Sequence, residues 1–341
     1  MPELRQDIVT GNWVVVSTER ALRPTSFEKA CTVPAKGEVK DCPFCPGHEL
    51  MPPLEVLSIR EPGSAADTPG WQVRVFPNKY PAFETCDEVG PSEPMFPRRA
   101  ADGSHEVIID TPDHWKNVAT MDTEEVALLL RVYRHRYLSN AEDPHIRYVH
   151  IIVNHGREAG ASLEHSHSQL FGVPIVPPIP QQEQAGASWY SSRHSSCVFC
   201  DMIEREVEKA ERVIFANDGF VAISPWASKL PFEAWLLPKN HQESFGMITE
   251  DGIDEFATAL HRLLGLYQQR FGDVPYNYYI HTSPCDGSEY PYYHWHLEMI
   301  PKLTLLGSFE LGTGMIINVT TPEHAAKFLI GETEQGMADL H

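Results

Sequence analysis

The sequence predicts an α+β fold made of two tandem copies of one unit, each an antiparallel sheet with packed helices and a metal site. Three observations predict it. A C-x-x-C pair opens each half of the chain, Cys42/Cys45 and Cys197/Cys200. An amphipathic helix pattern follows in each half, near residues 121–138 and 250–270. Each half then reaches a strand carrying His-x-His, at His165/His167 and His294/His296. The spacing is kept as well: His114 to His165 is 51 residues, and His241 to His294 is 53. Chance similarity rarely preserves both order and spacing.

The elements run in the same order in both halves. The first reads CPFC (42–45), FPNKYPAF (76–83), HEVIIDTPDHW (105–115), a helix, RYVHIIVNHG (147–156) and EHSHSQLFGVP (164–174). The second reads CVFC (197–200), FANDGFVAISP (215–225), PFEAWLLPKNH (231–241), a helix, NYYIHTSP (277–284) and YHWHLEMIP (293–301). Each helix opens on an acidic, cap-rich turn, Asp122-Thr123-Glu124-Glu125 or Thr249-Glu250-Asp251, before an apolar stripe at helical spacing. Short β-branched and aromatic runs such as Val107–Ile109, Val149–Val153 and Tyr278–Ile280 read as strands. Residues 50–70 and 84–104, rich in Pro and Gly, read as surface loops. The Pro-, Gln- and Ser-rich segment Val173–Ser196 reads as the connection between a catalytic domain, 1–178, and a second domain, 179–341.

A net charge of -20 argues against a nucleic-acid polymer as partner, since its phosphates need clustered Lys and Arg. A small phosphate pocket remains open, because two or three well-placed cations suffice there. No run of about 18 apolar residues spans a membrane. The start, MPELRQDIVTGNW, has no charged region followed by an apolar one, so a cytoplasmic enzyme is expected. In that setting the C-x-x-C pairs read as metal ligands or redox motifs rather than a disulfide framework. Cys31, Cys86 and Cys285 have no partner pattern and read as ordinary small residues.

The segment His165-Ser166-His167-Ser168-Gln169 is the sharpest local feature. Strand side chains alternate, so His165, His167 and Gln169 share a face too polar for an idle core strand. Two thiolates, Cys42 and Cys45, with His114 and His165 make up a Cys2His2 zinc set; Cys197, Cys200, His241 and His294 repeat it, which gives two zinc sites. A zinc at His165 would hold His167 two residues away. An imidazole is largely neutral at pH 7, so His167 can attack an α-phosphorus and carry the nucleotide to a second acceptor. Gln169 can donate to a phosphate oxygen as charge develops. Upstream, Gly156–Ser162 offers small residues and backbone N–H groups for phosphate approach. The second strand reads His294-Trp295-His296-Leu297-Glu298, with a carboxylate where phosphate would sit. That copy keeps the metal without the chemistry, unless His296 joins a metal site or contacts substrate.

At these residues the chain resembles the galactose-1-phosphate uridylyltransferase family, within the histidine-triad superfamily, over nearly its whole length. The family's His-Pro-His-x-Gln motif corresponds to residues 165–169, which implies zinc on His165, His167 as nucleophile and Gln169 assisting. Its C-x-x-C and Ser/Thr-Pro-Asp-His elements match Cys42, Cys45 and Thr111-Pro112-Asp113-His114. Its Arg-x-x-Arg-Pro segment matches Arg20 to Pro24, implying that Arg20 and Arg23 contact phosphate across a homodimer interface. Asn78, Asn154, Gly160 and Ser162 fall where the family binds ribose and phosphates, and Glu310 where it holds sugar hydroxyls. The chain departs from the uridylyltransferase pattern at Ser166 for Pro, at Lys79 after Asn78, and at Phe309 and Ile316. In these, and in its second Cys2His2 set, it is similar to the plant-type ADP-glucose phosphorylase branch.

Four readings follow. The first is ping-pong transfer of UMP between UDP-glucose and galactose 1-phosphate. The second is AMP transfer from ADP-glucose to phosphate through the same His167. The third is a histidine-triad nucleotide hydrolase, and the fourth a zinc scaffold without chemistry. The large second half argues against the last two; the first two stay open, each with a nucleotide sugar and a sugar 1-phosphate or phosphate as partners.

Overall fold

The computed structural model describes residues 1–22, 41–86 and 92–333. Strands β1 (Glu3–Gln6) and β2 (Trp13–Val16) come first, then β3 (Leu57–Arg60), β4 (Trp71–Pro77) and β5 (Ser104–Ile109). Helix α1 (Thr123–Ala141) leads to β6 (Tyr148–His155) and β7 (His167–Val173). After α2 (Pro178–His194) and α3 (Val198–Lys209) come β8 (Val213–Ala216), β9 (Phe220–Ile223), β10 (Ala234–Pro238), α4 (Glu250–Phe271), β11 (Tyr276–His281) and β12 (His296–Pro301). The chain then adds α5 (Ser308–Thr313), β13 (Ile317–Asn318) and α6 (Pro322–Ile330).

Ten strands form one antiparallel sheet in the order β3-β4-β5-β7-β6-β11-β12-β10-β9-β8. Read inward from either edge, the two halves give the same sequence of strands, and they meet where β6 pairs with β11, Asn154 opposite Asn277. The repeat in the sequence is thus a repeat of topology, joined edge to edge into a single sheet.

Both long helices are set by their first turns. Asp122 accepts from the Glu125 N–H at 2.9 Å while the Glu125 carboxylate accepts from the Asp122 N–H at 2.8 Å, a reciprocal cap. Thr249 caps α4 through the Gly252 N–H at 3.1 Å. Helices α1 and α4 lie side by side, tied at the surface by Arg131 to Glu250 and Asp254 at 3.0 and 2.7 Å. Their apolar stripes, Leu129, Leu130, Leu260 and Leu263 among them, bury the sheet face formed by Ile108, Ile151, Leu170, Tyr278 and Leu297. Each such side chain contributes roughly 1.5–3 kcal/mol by leaving water. Because strand residues alternate, the opposite face carries His105, Asn154, His167, Gln169, His281, His296 and Glu298. One face of the sheet packs on the main core, and the other carries these polar groups between two smaller apolar clusters, one with Trp235 and one with Phe76 and Val107.

Three expectations are corrected. Residues 50–70 are not all loop, since Leu57–Arg60 pairs with β4. The segment 173–196 is mostly helix: Pro178 and Pro180 sit in its first turn, where their missing N–H groups are not needed. Its Glu183 is buried and accepts from His281 and the Tyr293 hydroxyl at 2.9 and 2.7 Å. Thirdly, His165 and His294 precede their strands, which begin at His167 and His296. The first residues also cross to the second half. β2 pairs in parallel with β13, Arg5 bonds Glu323 at 2.9 Å, and Gly186 of α2 lies so near the Val9 carbonyl that a Cβ there would sit 1.7 Å away.

Candidate active site and metal centres

Cys42 and Cys45 lie in the turn before β3, His114 in the turn after β5, and His165 just ahead of β7. One ligand atom from each lies within 4.8 Å of the others. The Cys45 sulfur is 3.4 Å from His114 Nδ1 and 3.6 Å from His165 Nδ1, and Cys42 is 3.6 Å from the latter. Tetrahedral bonds of ~2.3 Å to sulfur and ~2.0–2.1 Å to nitrogen put ligand atoms about 3.5 Å apart, so the spacing suits a four-coordinate ion. His165 is already oriented: its Nε2–H donates to the Thr111 carbonyl at 2.7 Å, which leaves the Nδ1 lone pair for a ligand bond. Burial pushes its pKa down to about 4, so the ring is neutral at pH 7. Burial and the adjacent Cys42 push the Cys45 thiol up to about 11, because two close sulfurs resist ionising without a cation between them.

The second set is built alike. Cys200 lies 3.4 Å from His241 Nδ1 and 3.5 Å from His294 Nδ1, and His294 Nε2–H donates to the Pro238 carbonyl at 2.9 Å. One local difference is that Cys197 sits at the N-cap position of helix α3, without a side-chain capping bond, whereas Cys42 and Cys45 sit in turns.

His167 begins β7. Its Nδ1–H donates to the His165 carbonyl at 2.8 Å, so Nε2 holds the lone pair. Burial lowers its pKa, keeping the imidazole neutral. Phe44 meets the ring edge-on at 5.2 Å. The histidine lines a cavity of about 360 Å³ together with Gln169, Asn78, Ser162, Lys79 and Tyr80. Behind the strand, Ser166 and Ser168 donate to the two oxygens of Asp110 at 2.8 and 2.6 Å, and Tyr133 contacts Ser168. Ser166, which stands where the family motif has Pro, is thus part of a clasp that fixes β7 against β5. Burial raises the Asp110 pKa to about 7 despite both hydroxyls.

Of the expected site residues, the catalytic pair His167 and Gln169 and the substrate residues Asn78 and Ser162 come together in the cavity. Asn154 is one residue past the Val153–Ser168 pair, opposite His167 on the neighbouring strand, and it accepts from Asn277 at 2.7 Å. Gly160, at φ 92°, closes a short 3-10 turn. The N–H groups of Ala159, Gly160 and Ala161 are spent inside that turn, so the phosphate-approach role expected of Gly156–Ser162 narrows to its end. Glu310 accepts from the Gly307 N–H at 2.9 Å at the start of α5 and is not among the cavity's lining residues. Arg20, in the 3-10 turn after β2, is not among them either. Arg23 lies outside the described residues.

Sequence reasoning missed a third cluster. Glu183, His281, His296 and Glu298 are all buried, with one ligand atom each within 4.8 Å of the rest. His281 Nδ1 is 2.9 Å from Glu183 and 3.6 Å from Glu298, and the Lys229 ammonium is 3.4 Å from Glu298. Burial alone would lower the His281 pKa, but the two carboxylates raise it. The sequence marks His296 as able to join a metal site. Glu183 gave no signal, being hidden in a segment whose composition reads as a linker.

The chain is similar to known proteins over nearly its whole length. The family description "Galactose-1-phosphate uridyl transferase, N-terminal domain" matches residues 1–177, and its C-terminal counterpart matches residues 183–334. An ADP-glucose phosphorylase of Arabidopsis thaliana is 34% identical over 96% of this chain and 92% of its own. A galactose-1-phosphate uridylyltransferase of Thermotoga maritima is 28% identical over 98% and 99%. The crystal structure of the Arabidopsis thaliana ADP-glucose phosphorylase with bound ADP-glucose superposes at a TM-score of 0.82, with 33% identity over 97% of this chain and 99% of that one.

Proposed function

The chain belongs to the galactose-1-phosphate uridyl transferase family and is a nucleotidyltransferase, and on that premise we propose that His167 carries the nucleotide between donor and acceptor. The observation that carries this reading is the free Nε2 of a neutral, oriented imidazole at a cavity beside two side-chain amides. Nε2 bonds to the α-phosphorus of a nucleotide sugar. The bond from that phosphorus to the bridging oxygen breaks, and its electron pair leaves with the hexose 1-phosphate. An acceptor phosphate oxygen then attacks the same phosphorus and frees the imidazole. Gln169 and Asn78 donate to the oxygens on which charge develops.

The donor sets fit zinc, two ions per chain: Cys42, Cys45, His114 and His165 would hold one and Cys197, Cys200, His241 and His294 the other, and each ion would supply a structural anchor for the first histidine of its half's His-x-His pair. The arrangement fits two tandem histidine-triad-like units, with the catalytic one spanning 1–178. Lys79 at the cavity supplies a cation, and the largely exposed ring of Tyr80 supplies a face for a base or sugar. Arg20 follows β2, which pairs with β13 of the second half. That position fits a phosphate contact given to the cavity of a second copy in a homodimer.

The uridylyl reading, UMP passed between UDP-glucose and galactose 1-phosphate, is that of the family description and of the Thermotoga maritima relative. The adenylyl reading, AMP passed from ADP-glucose to phosphate, is favoured by the greater identity to the ADP-glucose phosphorylase, 34% against 28%. Incubating the protein with UDP-glucose or ADP-glucose and no acceptor, then weighing the intact chain, separates them. A UMP or an AMP increment names the nucleotide, and no increment with either would contradict the covalent mechanism.

A further inference from the structure

His105 is buried on β5, one strand from the nucleophile, and stacks on Phe171 with ring centroids 4.0 Å apart. Two of its contacts determine its proton. The backbone N–H of Ala82 points at Nδ1 from 3.2 Å. A backbone amide can only donate, so Nδ1 accepts and the proton of the neutral ring is on Nε2. That Nε2 is 2.8 Å from the side-chain oxygen of Gln169. The Gln169 carbonyl therefore accepts from His105, and its NH2 group is turned the other way, to the cavity. A flipped amide would set NH2 against N–H. Asn78 follows the same logic: its Oδ1 accepts from the Tyr80 N–H at 2.9 Å, so its NH2 is the end that lies 3.1 Å from His105 Nε2. A protonated Nε2 offers that NH2 no acceptor, and it too is left for an anion.

We propose that His105 is a positioning residue that fixes the Gln169 amide with its donors toward the substrate phosphate. The inference rests on His167 as nucleophile and deepens that reading. Burial lowers the His105 pKa, which keeps the ring in the neutral form the arrangement needs. The second half has no such requirement, because Glu298 stands at the position of Gln169 and a carboxylate has no donor end to orient.

The test is single-turnover formation of the nucleotide adduct on His167. His105→Phe keeps the stacking surface but removes the donor. It is expected to slow adduct formation about 10–100-fold, within what one oxyanion donor supplies, while KM for the nucleotide sugar changes less than about threefold. His105→Gln restores a donor toward Gln169 and is expected to recover most of the rate. Adding Gln169→Ala to His105→Phe is expected to cost little more, because both act through one amide. A wild-type rate in His105→Phe, no rescue by Gln, or losses that simply multiply would overturn the proposal. A second measurement stands apart from activity: selective 15N-histidine NMR of the intact protein reads the His105 tautomer, with Nε2 protonated as expected and Nδ1 protonated as the contrary result. Absence of any adduct in the wild-type protein would instead defeat the nucleophile reading, and the tautomer then decides for His105 alone.

Discussion

The two halves of the sheet set the same pair of histidines beside the same kind of donor set, yet His167 lines a cavity while His296 is fully buried. His167 and His296 are held alike, each with Nδ1 toward the carbonyl of the histidine two residues earlier, at 2.8 and 3.2 Å. Strand register identifies what differs. Gln169 lies between Val107 and Ile152, while Glu298, its equivalent, lies between Trp235 and Tyr279. The Trp235 ring stacks on His296 at 4.9 Å, and the Tyr279 hydroxyl donates to Glu298 at 2.6 Å. Two large side chains and a part-buried ion pair with Lys229 occupy this position in the second half. The same scaffold and histidine pair thus stand beside different neighbours, Val107 and Ile152 in one half and Trp235 and Tyr279 in the other.

The sharpest contrast is between the donor sets. Replacing Cys42 and Cys45 by Ser should remove one equivalent of zinc and abolish transfer, since His165 would lose its anchor two residues from His167. Replacing Cys197 and Cys200 should also remove one equivalent, and metal-coupled folding energy on the order of 10 kcal/mol is at stake in either case. The folded fraction of the second variant, however, should still form the adduct. Zinc analysis with thermal melting and adduct yield per folded molecule reads both, and equal loss of adduct would erase the contrast.

A pH-dependent difference follows from Asp110. Its pKa in the fold is about 7, against an ordinary value of 3.8. The unfolded chain thus releases this proton first, and the folded state binds more protons between those values. Stability contributed by the neutral carboxyl is fully present below about pH 4 and is lost as pH rises through 7. Asp110→Asn lacks this term. Denaturant unfolding should show the wild-type protein losing up to about 4 kcal/mol relative to the variant across that window. A constant difference at all pH values would contradict the buried, protonated carboxyl.

Filling the first cavity as the second is filled should be next in size. Val107→Trp places the Trp235 side chain at its equivalent position and should lower kcat/KM about 100-fold or more while zinc content stays unchanged. Activity close to wild type would mean the substrate does not use this cavity. Smaller still, Ser166→Ala removes one of two hydroxyl bonds to Asp110 and should cost about 1–3 kcal/mol in unfolding free energy. No change would mean Ser168 and Tyr133 hold the carboxyl by themselves.

Much of this was legible in the sequence. The caps at Asp122 and Thr249 located α1 and α4, and alternation around His167 placed Gln169 on its face. The repeated spacing brought both Cys2His2 sets together. What escaped were groups whose meaning depends on distant partners. Glu183 becomes informative only when α2 folds it against His281 and Tyr293, and Lys229 only beside Glu298. His105 needs the Ala82 amide and Gln169 before its proton can be assigned. α2 itself was hidden because Pro, Gln and Ser are loop-like in composition, and two of its prolines fall in the one turn that tolerates them. Arg20 and Glu310 rest on the resemblance, and within one chain neither lines the His167 cavity.

The most direct measurement is to locate the adduct. After reaction with a nucleotide sugar and no acceptor, peptide mapping should find one acid-labile nucleotide per chain, on His167 alone. It should disappear on adding the acceptor, and it should be absent from His167→Gly while that variant keeps its zinc. His165 should stay unlabelled, because its Nδ1 faces the two sulfurs and its Nε2–H is held by Thr111. An unlabelled wild-type enzyme that turns over with sequential kinetics, or a label on any other residue, would contradict the account.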